Sequence, residues 1–328
     1  MEQTVNDKIF SKNWLRTHGS TLAGYGGVIF CIIFFSITTP IAGQSIWSGE
    51  KLSTLISDVI VLAILSVGAV FVYSLGSMDI SIGKQVGLYA TIMVAVANTT
   101  NSLILGILIS LVISVVIGIV NGATGELLHI HSVISSLVFM MVLGGISTVI
   151  YAGMGSRNVA LKTIDHHIFK NVWVMVAVLV IEILIVSFLF NYTKFGKNAK
   201  AIGANPVAAQ QSGINLVKYK VTAYVIMGVF VVVAAVFQMG YTGSASDSTG
   251  TGFEMNVMVA LILGGMPLSG GMKSRVSCAV LGSFTFSLLN VGLPMIGIPV
   301  NTVNLIKAII FIIVVLITCR KSRGILPR

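Results

Sequence analysis

This sequence has very little charge. Only 9% of its 328 residues are Asp, Glu, Lys or Arg, whereas 55% are hydrophobic. A soluble domain has about 25% charged residues, so this chain could not cover the surface of a water-soluble fold of its size. The composition also excludes a disordered chain, a collagen-like fibre and a small disulfide scaffold. It predicts an all-α, polytopic helical membrane protein that forms a single domain over residues 1–328.

Residue patterns for several kinds of chemistry are missing as well. The three cysteines, Cys31, Cys278 and Cys319, lie in apolar runs and are expected to be small buried hydrophobes. No G-x-x-x-x-G-K-[ST] phosphate loop is present, so the chain is not expected to hydrolyse ATP itself. The histidines at 129/131 and at 166/167 lack a third metal ligand at a suitable spacing. With no nucleophile motif either, the sequence predicts a non-enzyme that needs no cofactor.

Ten apolar segments are expected to form helices within a membrane, where a span needs about 20 residues. Two of them, 85–98 and 255–265, are too short to cross comfortably and adjoin glycine-rich stretches, which predicts broken or re-entrant helices. The ten segments are 21–39, 55–75, 85–98, 103–124, 133–152, 172–190, 219–240, 255–265, 276–293 and 301–319.

The basic residues predict how the chain is oriented. With the N-terminus inside, 15 of the 20 Lys and Arg residues, Lys84 among them, fall in or beside the inner segments. Because Lys and Arg concentrate in cytoplasmic loops, this asymmetry predicts a multi-pass protein of the inner (plasma) membrane with both termini cytoplasmic. The net charge of +10 then requires no nucleic-acid partner. The inner segments are the tail 1–20, the loops 76–84, 125–132, 191–218 and 266–275, and the tail 320–328.

Two glycine-rich stretches interrupt the apolar sequence. In the first, 75–87, Asp79 and Ser81 are expected to cap a helix that begins near Ile80. A carboxylate within the membrane is a functional candidate, although an ordinary inner loop with Asp79 as its cap is the alternative. The second stretch, 263–271, repeats the pattern L-G-x-M-x-[IL]-S-x-G 188 residues later. The match indicates either an internal repeat at a transporter's central pathway or a chance similarity between glycine-rich turns.

The loop 193–215 carries a third signal. Asn205 as N-cap, Pro206 as first helical residue and Gly213 as the stop predict a short helix at about 206–212 on the cytoplasmic side. Its small, polar surface suits a groove on a partner protein, and the lysines of the loop suit phospholipid headgroups or an acidic partner. The alternative is a capped connector that touches only headgroups.

Together, these three segments resemble the inner-membrane permeases of bacterial ABC importers for monosaccharides, the ribose, galactose/methyl-galactoside, xylose and autoinducer-2 group. The family's G-x-D-L-S-x-G element corresponds to residues 77–83, and the likeness runs in order from about 55 to 319. Further matching residues are Thr193, Gly196, Lys197, Ala201, Ile202, Gly203, Asn205, Ala208, Ala209, Ser212, Gly213 and Ile214 in the inner loop, followed by Gly250, Phe253, Glu254, Met255, Gly264, Gly265, Gly270, Gly271, Asn290, Gly292, Leu293 and Lys307.

The resemblance implies a type II-like importer permease with about ten transmembrane helices. Two permeases, identical or related, would form the pathway, sit on a separate ABC ATPase subunit and receive a small neutral sugar from an extracytoplasmic binding protein. Residues 83–88 look most like the galactose/methyl-galactoside branch. The expected pathway residues are Asp79, Ser81, Gly83, Asn121, Gly264, Gly265, Ser269, Gly270 and Asn290, and the expected ATPase-coupling residues are Lys197, Gly203, Asn205, Pro206, Ala208, Ala209, Ser212 and Gly213.

Two departures from the family pattern keep other functions open. Met78 stands where the family usually has Gly or Thr, and Glu182 lies mid-span where apolar residues are usual. One alternative is a secondary transporter that uses Asp79 or Glu182 as a proton or sodium site. The other is a related ABC permease for nucleosides or amino acids.

Overall fold

The computed structural model describes residues 12–162 and 167–318. Each of the ten predicted apolar segments forms a helix, and the loop 193–215 contributes two more. The helices are α1 (Lys12–Ile41), α2 (Gly49–Ser74), α3 (Ile82–Thr100), α4 (Leu103–Leu127), α5 (Ser132–Gly153), α6 (Val172–Tyr192), α7 (Lys194–Ala204), α8 (Pro206–Gln211), α9 (Leu216–Thr242), α10 (Phe253–Leu263), α11 (Val276–Met295) and α12 (Val300–Thr318). A 3₁₀ helix (His167–Lys170) and the paired antiparallel strands β1 (Asn158–Ala160) and β2 (Ser244–Ser246) complete these ranges.

The predicted helical membrane fold is confirmed in outline. Within the described ranges, seven helices are long and apolar enough to cross a membrane, namely α1, α2, α4, α5, α6, α9 and α11. That number is lower than the ten predicted crossings. Helix α10 has 11 residues and so spans only about half of a 30 Å hydrocarbon layer.

Helix α2 forms the centre of the bundle. It is buried along nearly its whole length from Leu55 to Ser74 and packs against α6, α9, α10 and α11. Helices α7 and α8 lie at one end of the bundle, beside the last residue of α2; we call this the α7–α8 end. The two strands lie at the opposite end, where Asn98 of α3 donates to the Ala160 oxygen; we call this the β end.

Small residues repeat every fourth position along α4 and let neighbouring backbones approach closely. A Cβ added to Gly106 would lie 2.9 Å from the Met93 Cα of α3. A Cβ added to Gly118 would lie 2.8 Å from the Val225 Cα of α9. Interfaces of this small-residue type are typical of helices that associate in membranes, where the hydrophobic effect does not drive association. The buried residues of this stripe are Gly106, Ser110, Ser114, Gly118 and Gly122.

The segment after β2 turns back into the bundle through consecutive turns over residues 247–252. It runs along α3, so that a Cβ on Gly87 would lie 2.6 Å from the Thr249 oxygen. Gly87 is about 20 Å along α3 from its end at Thr100. Helix α10 begins at Phe253, at this depth, and its C-terminal extension reaches the α7–α8 end beside Ser74. The expected interruption beside 255–265 is present as turns over 247–252 followed by the 11-residue helix α10, whereas the expected break at 85–98 is wrong, because 85–98 lies within the continuous 19-residue helix α3.

The region of the predicted cytoplasmic loop is helical. Helix α8 covers 206–211, its N-cap Asn205 accepts a hydrogen bond from the Ala208 amide at 3.1 Å, and Gly213 adopts a positive φ of 81°. The predicted helix at 206–212 is confirmed. Helix α7 was not predicted, although Phe195, Ala199 and Ile202 recur at helical spacing and face the core; its high content of Lys, Gly and Asn resembles a loop.

Two expectations about individual residues can be compared with the structure. Cys31 and Cys278 are buried and free, as expected, while Cys319 lies outside the described residues. Lys84 was counted with the inner loop 76–84, which is wrong. Its stem lies against Gly144 in the middle of α5, and its Nζ is 3.5 Å from the backbone oxygen of Asp247, in a segment predicted to be outside. The structure thus places Lys84 inside the first turn of α3.

Candidate functional site

A buried polar network surrounds Asp79 where the chain breaks between α2 and α3. The Asp79 side chain is 1% exposed, and its Oδ1 accepts hydrogen bonds from the Ser81 amide at 2.7 Å and the Ser81 hydroxyl at 2.6 Å. Its Oδ2 accepts from the side-chain amides of Gln85 at 3.0 Å and Asn121 at 3.3 Å. The carboxylate therefore has a donor on every side, which is the condition for keeping such a group inside a protein.

The network ties the break to three further helices. Ser135 of α5 donates to the Asn121 oxygen at 3.3 Å, and the Ser132 hydroxyl accepts a hydrogen bond from the Met78 amide at the same distance. Tyr224 of α9 donates to the Met78 oxygen at 3.4 Å. Asp79, Ser81 and Asn121, predicted as pathway residues, are thus brought together, and all three are buried rather than open to a cavity.

The capping expected of Asp79 and Ser81 is wrong in detail. Helix α3 begins at Ile82 rather than near Ile80, and Ser81 makes no side-chain cap bond to the helix. Asp79 binds the Ser81 amide just before the helix instead. Its four donors come from two elements, so the carboxylate joins α3 to α4 in addition to ordering its own turn.

The two glycine-rich breaks touch each other. The Gly271 amide donates to the Ser74 oxygen at 2.8 Å, and a Cβ on Gly76 would lie 3.0 Å from the Ser269 oxygen. Gly270, at φ +66°, sits against the last carbonyls of α2. Two segments 188 residues apart in the sequence therefore form one backbone-to-backbone junction at the α7–α8 end. We call residues 73–76 and 269–271 the break junction.

Both breaks end a helix in the same way, but one residue out of the register of the sequence match. After α2, the Gly76 amide bonds the Tyr73 oxygen and the Ser77 amide bonds the Val72 oxygen. After α10, the same pair of bonds is made by the amides of Gly265 and Met266. These are Schellman motifs with glycine at positive φ, at +74° for Gly76 and +93° for Gly265. The equivalent glycines are 189 residues apart, so the shared sequence pattern does not align equivalent backbone positions.

Helix α7 lies directly on the break junction. A Cβ on Gly203 would overlap the Ser74 oxygen and come within 2.6 Å of the Gly271 nitrogen. Gly203 was predicted to couple the chain to an ATPase, and the structure shows it as an internal packing position. Ala209 is also buried, at 5% exposure. The exposed residues of the predicted coupling set are Lys197, Asn205, Pro206, Ala208, Ser212 and Gly213.

One lysine of α7 differs from its neighbours. Lys194 and Lys197 are exposed, whereas the Lys200 ammonium lies 4.2 Å from the centre of the Phe190 ring and donates to Asn191 at 3.3 Å. Burial and the nearby charge of Arg275 lower the pKa of Lys200. Lys200 therefore fixes α7 to the end of α6, and it is less available to a partner than the two exposed lysines.

The remaining predicted pathway residues are distributed over different surroundings. Gly83 packs against Gly250 and the Glu254 carboxylate, and Gly264 packs against the Cys278 backbone of α11. Ser269 is exposed beside the break junction. Asn290 belongs to neither break.

Asn290 bridges two opposite charges in the half of the bundle nearer the β end. Its amide nitrogen donates to Oδ2 of Asp58 in α2 at 3.4 Å, and its oxygen accepts from Nζ of Lys307 in α12 at 3.0 Å. The Lys307 ammonium also lies 4.7 Å from the centre of the Phe286 ring. The sequence reading missed Asp58, which lies within a candidate span and could have been found by looking for an acidic partner to Lys307.

We expect the neutral pair Asp58→Asn/Lys307→Met to be more stable than Lys307→Met alone. The single change leaves the partly buried Asp58 carboxylate without the nearby Lys307 ammonium, and we expect a loss smaller than that of a fully buried pair, which is about 3–5 kcal/mol. The double change removes both charges and recovers much of that loss. Thermal unfolding of the purified variants in detergent measures the difference; equal losses in single and double variants would show that the two charges do not interact.

Glu182 stands apart from both networks. It lies on the buried face of α6, between Leu179 and Val186, and is 2% exposed. Neither carboxylate oxygen has a hydrogen-bond partner among the residues that the structure describes. A buried carboxyl group in this state is unfavourable compared with an apolar side chain of similar size.

These features define a multi-pass helical membrane protein. Non-helical segments interrupt its bundle, and a buried polar network surrounds Asp79, an architecture typical of transport proteins. The family model described as "Branched-chain amino acid transport system / permease component" matches residues 51–315. The chain belongs to this permease family.

Relatives with named substrates align over most of both chains. The ribose import permease protein RbsC of Escherichia coli (strain K12) is 25% identical over 98% of this chain and 99% of its own length. The galactose/methyl galactoside import permease protein MglC of Salmonella typhimurium is 30% identical, over 90% of this chain and 91% of its own. The autoinducer 2 import system permease protein LsrC of Photorhabdus luminescens is 26% identical, over 83% and 82%.

Proposed function

We propose that this chain is the type II-like membrane permease of an ATP-driven importer for a neutral monosaccharide. The names of the aligned relatives support the substrate class. The observation that carries the coupling is the contact of α7, through Gly203, with the backbone of both glycine-rich breaks. A movement imposed on α7 from outside the membrane would act on both breaks at once.

The surface that would receive such a movement is α8. Its residues Val207, Gln210 and Gln211 are exposed, and Val207, an apolar residue, is 63% exposed. An exposed apolar side chain on a capped helix suits a hydrophobic groove on a partner, which we propose to be a separate ABC ATPase subunit. The α7–α8 end is then cytoplasmic, as are both termini, in agreement with the lysines and arginines near it.

The pathway would lie along the re-entrant segment 247–252. Asp247, Ser248 and Thr251 are exposed, and Thr249 beside them lies at the depth of Gly87 in α3. Non-helical backbone at membrane depth is tolerated only where protein covers it or where it lines a water-filled cavity. We therefore propose that a second permease, identical or related, faces this side of the bundle and encloses an aqueous pathway between the two.

Transport would follow alternating access. ATP hydrolysis on the partner would shift the equilibrium between inward- and outward-facing states, with α8 and α7 passing the change to the break junction. The sugar would be delivered by an extracytoplasmic binding protein. Hydroxyl groups need only weak, successive hydrogen bonds along the way.

Reconstituted uptake tests this function. Proteoliposomes that contain the permease with the ATPase and binding protein encoded beside it should take up radiolabelled D-ribose or D-galactose when ATP is enclosed. Vanadate should stop uptake, and an ionophore that collapses proton and sodium gradients should not. Val207→Asp should reduce co-purification of the ATPase and uptake at least tenfold, since it places a charge in the docking helix. Tyr241→Asp, exposed near the β end, is the matched control for co-purification.

Three results would contradict parts of the proposal. Uptake that stops with the ionophore and continues with vanadate would identify a secondary transporter. Uptake of a branched-chain amino acid instead of either sugar would assign the substrate suggested by the family description. An ATPase that remains bound to Val207→Asp would show that α8 is not the docking surface.

A further inference from the structure

A polar cleft opens near the β end, between α5 and the re-entrant segment. Its volume is about 370 Å³, and it is lined by Thr148, Tyr151, Ser156, Arg157 and Asp247 among others. Thr148, Arg157 and Asp247 are exposed, while Tyr151 is held from behind by a hydrogen bond of 2.8 Å from the Thr91 hydroxyl. We call this the Arg157–Asp247 cleft.

The walls of the cleft are held at a fixed spacing by the backbone. The Asp247 amide donates to the Arg157 oxygen at 3.2 Å, directly beyond the pairing of Asn158 with Ser246. The two charged side chains therefore start from adjacent backbone positions. Among the residues that the structure describes, neither forms an ion pair with the other or with a third group. A guanidinium and a carboxylate that are close but unpaired leave donors and acceptors available to a ligand.

The base of the cleft continues towards the middle of the membrane. One helical turn below Thr148, the stem of Lys84 lies against Gly144, and its Nζ is 3.5 Å from the Asp247 oxygen. Below Lys84, Gly83 contacts Gly250 and Glu254. Polar groups thus follow one another from the open end of the cleft down to the level where α10 begins.

We propose that the Arg157–Asp247 cleft is a binding site for the hydroxyl groups of a neutral monosaccharide, occupied as the sugar enters the pathway. The proposal rests on the proposed function and adds the place and chemistry of the first contact. Ligand sites range from about 300 to 1,000 Å³, so a cleft of about 370 Å³ suits one sugar ring rather than an oligosaccharide. Arg157 offers donors, Asp247 offers acceptors, and the exposed Thr148 hydroxyl, which donates to the Gly144 oxygen, offers a further acceptor.

Charged residues can bind a neutral cargo through its hydroxyl groups. Hydrogen bonds in which one partner is ionised are about twice as strong as those between neutral groups. The Arg157 guanidinium and the Asp247 carboxylate can bind a neutral polyol as donor and acceptor, and the Lys84 ammonium at the base of the cleft adds a further donor.

The test uses the complete importer in proteoliposomes, with whichever of D-ribose and D-galactose the wild type takes up. Asp247→Ala and Arg157→Ala should each lower the maximal uptake rate about tenfold at saturating binding protein, and Asp247→Asn, which keeps an oxygen acceptor, should lose less. Lys162→Gln is the matched control, an exposed charge in the same connecting segment outside the cleft lining. A series of deoxy sugars should contain one analogue that wild type transports poorly and for which Asp247→Ala causes no additional loss.

The outcomes distinguish a failure of the proposed sugar site from a failure of the proposed function. Unchanged uptake in both alanine variants, with the wild type active, would overturn the sugar site and leave the importer assignment intact. A loss confined to the concentration of binding protein needed for half-maximal uptake would assign the cleft to binding-protein docking and overturn the proposal. A wild type that takes up no neutral sugar would overturn the proposed function and this site with it.

Discussion

Asp79→Leu is expected to destabilise the protein by about 3 kcal/mol or more and to abolish transport. The change removes the acceptor of the Ser81 amide and of the Gln85 and Asn121 side chains, all of which stay buried. Each buried donor left without a partner costs about 1–3 kcal/mol. The loss also releases α3 from α4, so the effect should exceed that of a cavity alone. The midpoint of thermal unfolding in detergent measures it.

Asp79→Asn keeps the shape of the side chain but replaces one of its two acceptor oxygens with an amide group. Asparagine fits the same volume but brings an amide group against the amides of Gln85 and Asn121, one of which has to reorient. We expect a smaller loss of stability than in Asp79→Leu, with residual uptake. Equal unfolding midpoints for the leucine variant and the wild type would contradict the role given to the network. A leucine variant that is as stable as wild type yet inactive would instead make Asp79 a transport residue alone.

Gly203→Val is expected to disrupt the contact between α7 and the break junction. The added side chain meets the Ser74 oxygen and the Gly271 nitrogen, which are backbone atoms at helix ends and cannot rotate away. Overpacking of this kind costs about 1–3 kcal/mol. ATP hydrolysis by the bound ATPase should then continue without sugar uptake, because the docking helix α8 is untouched.

Ala204→Val is the matched control for that change. It adds a similar volume at the next position, where the side chain is exposed. Uptake and hydrolysis should stay coupled in this variant. Coupled transport in Gly203→Val would show that the close contact is dispensable. Loss of ATPase binding in Gly203→Val would show that the position acts on docking rather than on coupling.

Most of the helices were predictable because hydrophobic runs of this length have few other structures available to them in a membrane. The α8 helix was also predictable, since Asn205, Pro206 and Gly213 act locally. Asp79 could be singled out as a carboxylate in an apolar stretch, but its partners could not. Gln85 lies one turn into the next helix, and Asn121 is 42 residues away on α4.

The sequence did not show how deep in the bundle a residue lies or which distant residues it contacts. Lys84 looked like an inner-loop charge because glycines precede it, and only the packing against Gly144 shows where its side chain goes. The bridge that Asn290 makes between Asp58 and Lys307 joins α2 to α11 and α12, and Asn290 lies 232 residues after Asp58. Gly203 was singled out with the docking residues, although its role in the fold depends on Ser74 and Gly271, which are distant in sequence.

The break junction has a mechanical consequence. Side chains in a protein interface can change rotamer and so absorb small displacements. At Gly203, Ser74 and Gly271 the contact is made by backbone, with glycine on two sides, so nothing there can absorb a displacement. A shift of α7 should therefore be passed directly to the end of α2 and to the loop 269–271 between α10 and α11. The break junction should therefore transmit displacements from the surface of the bundle to its centre with little loss.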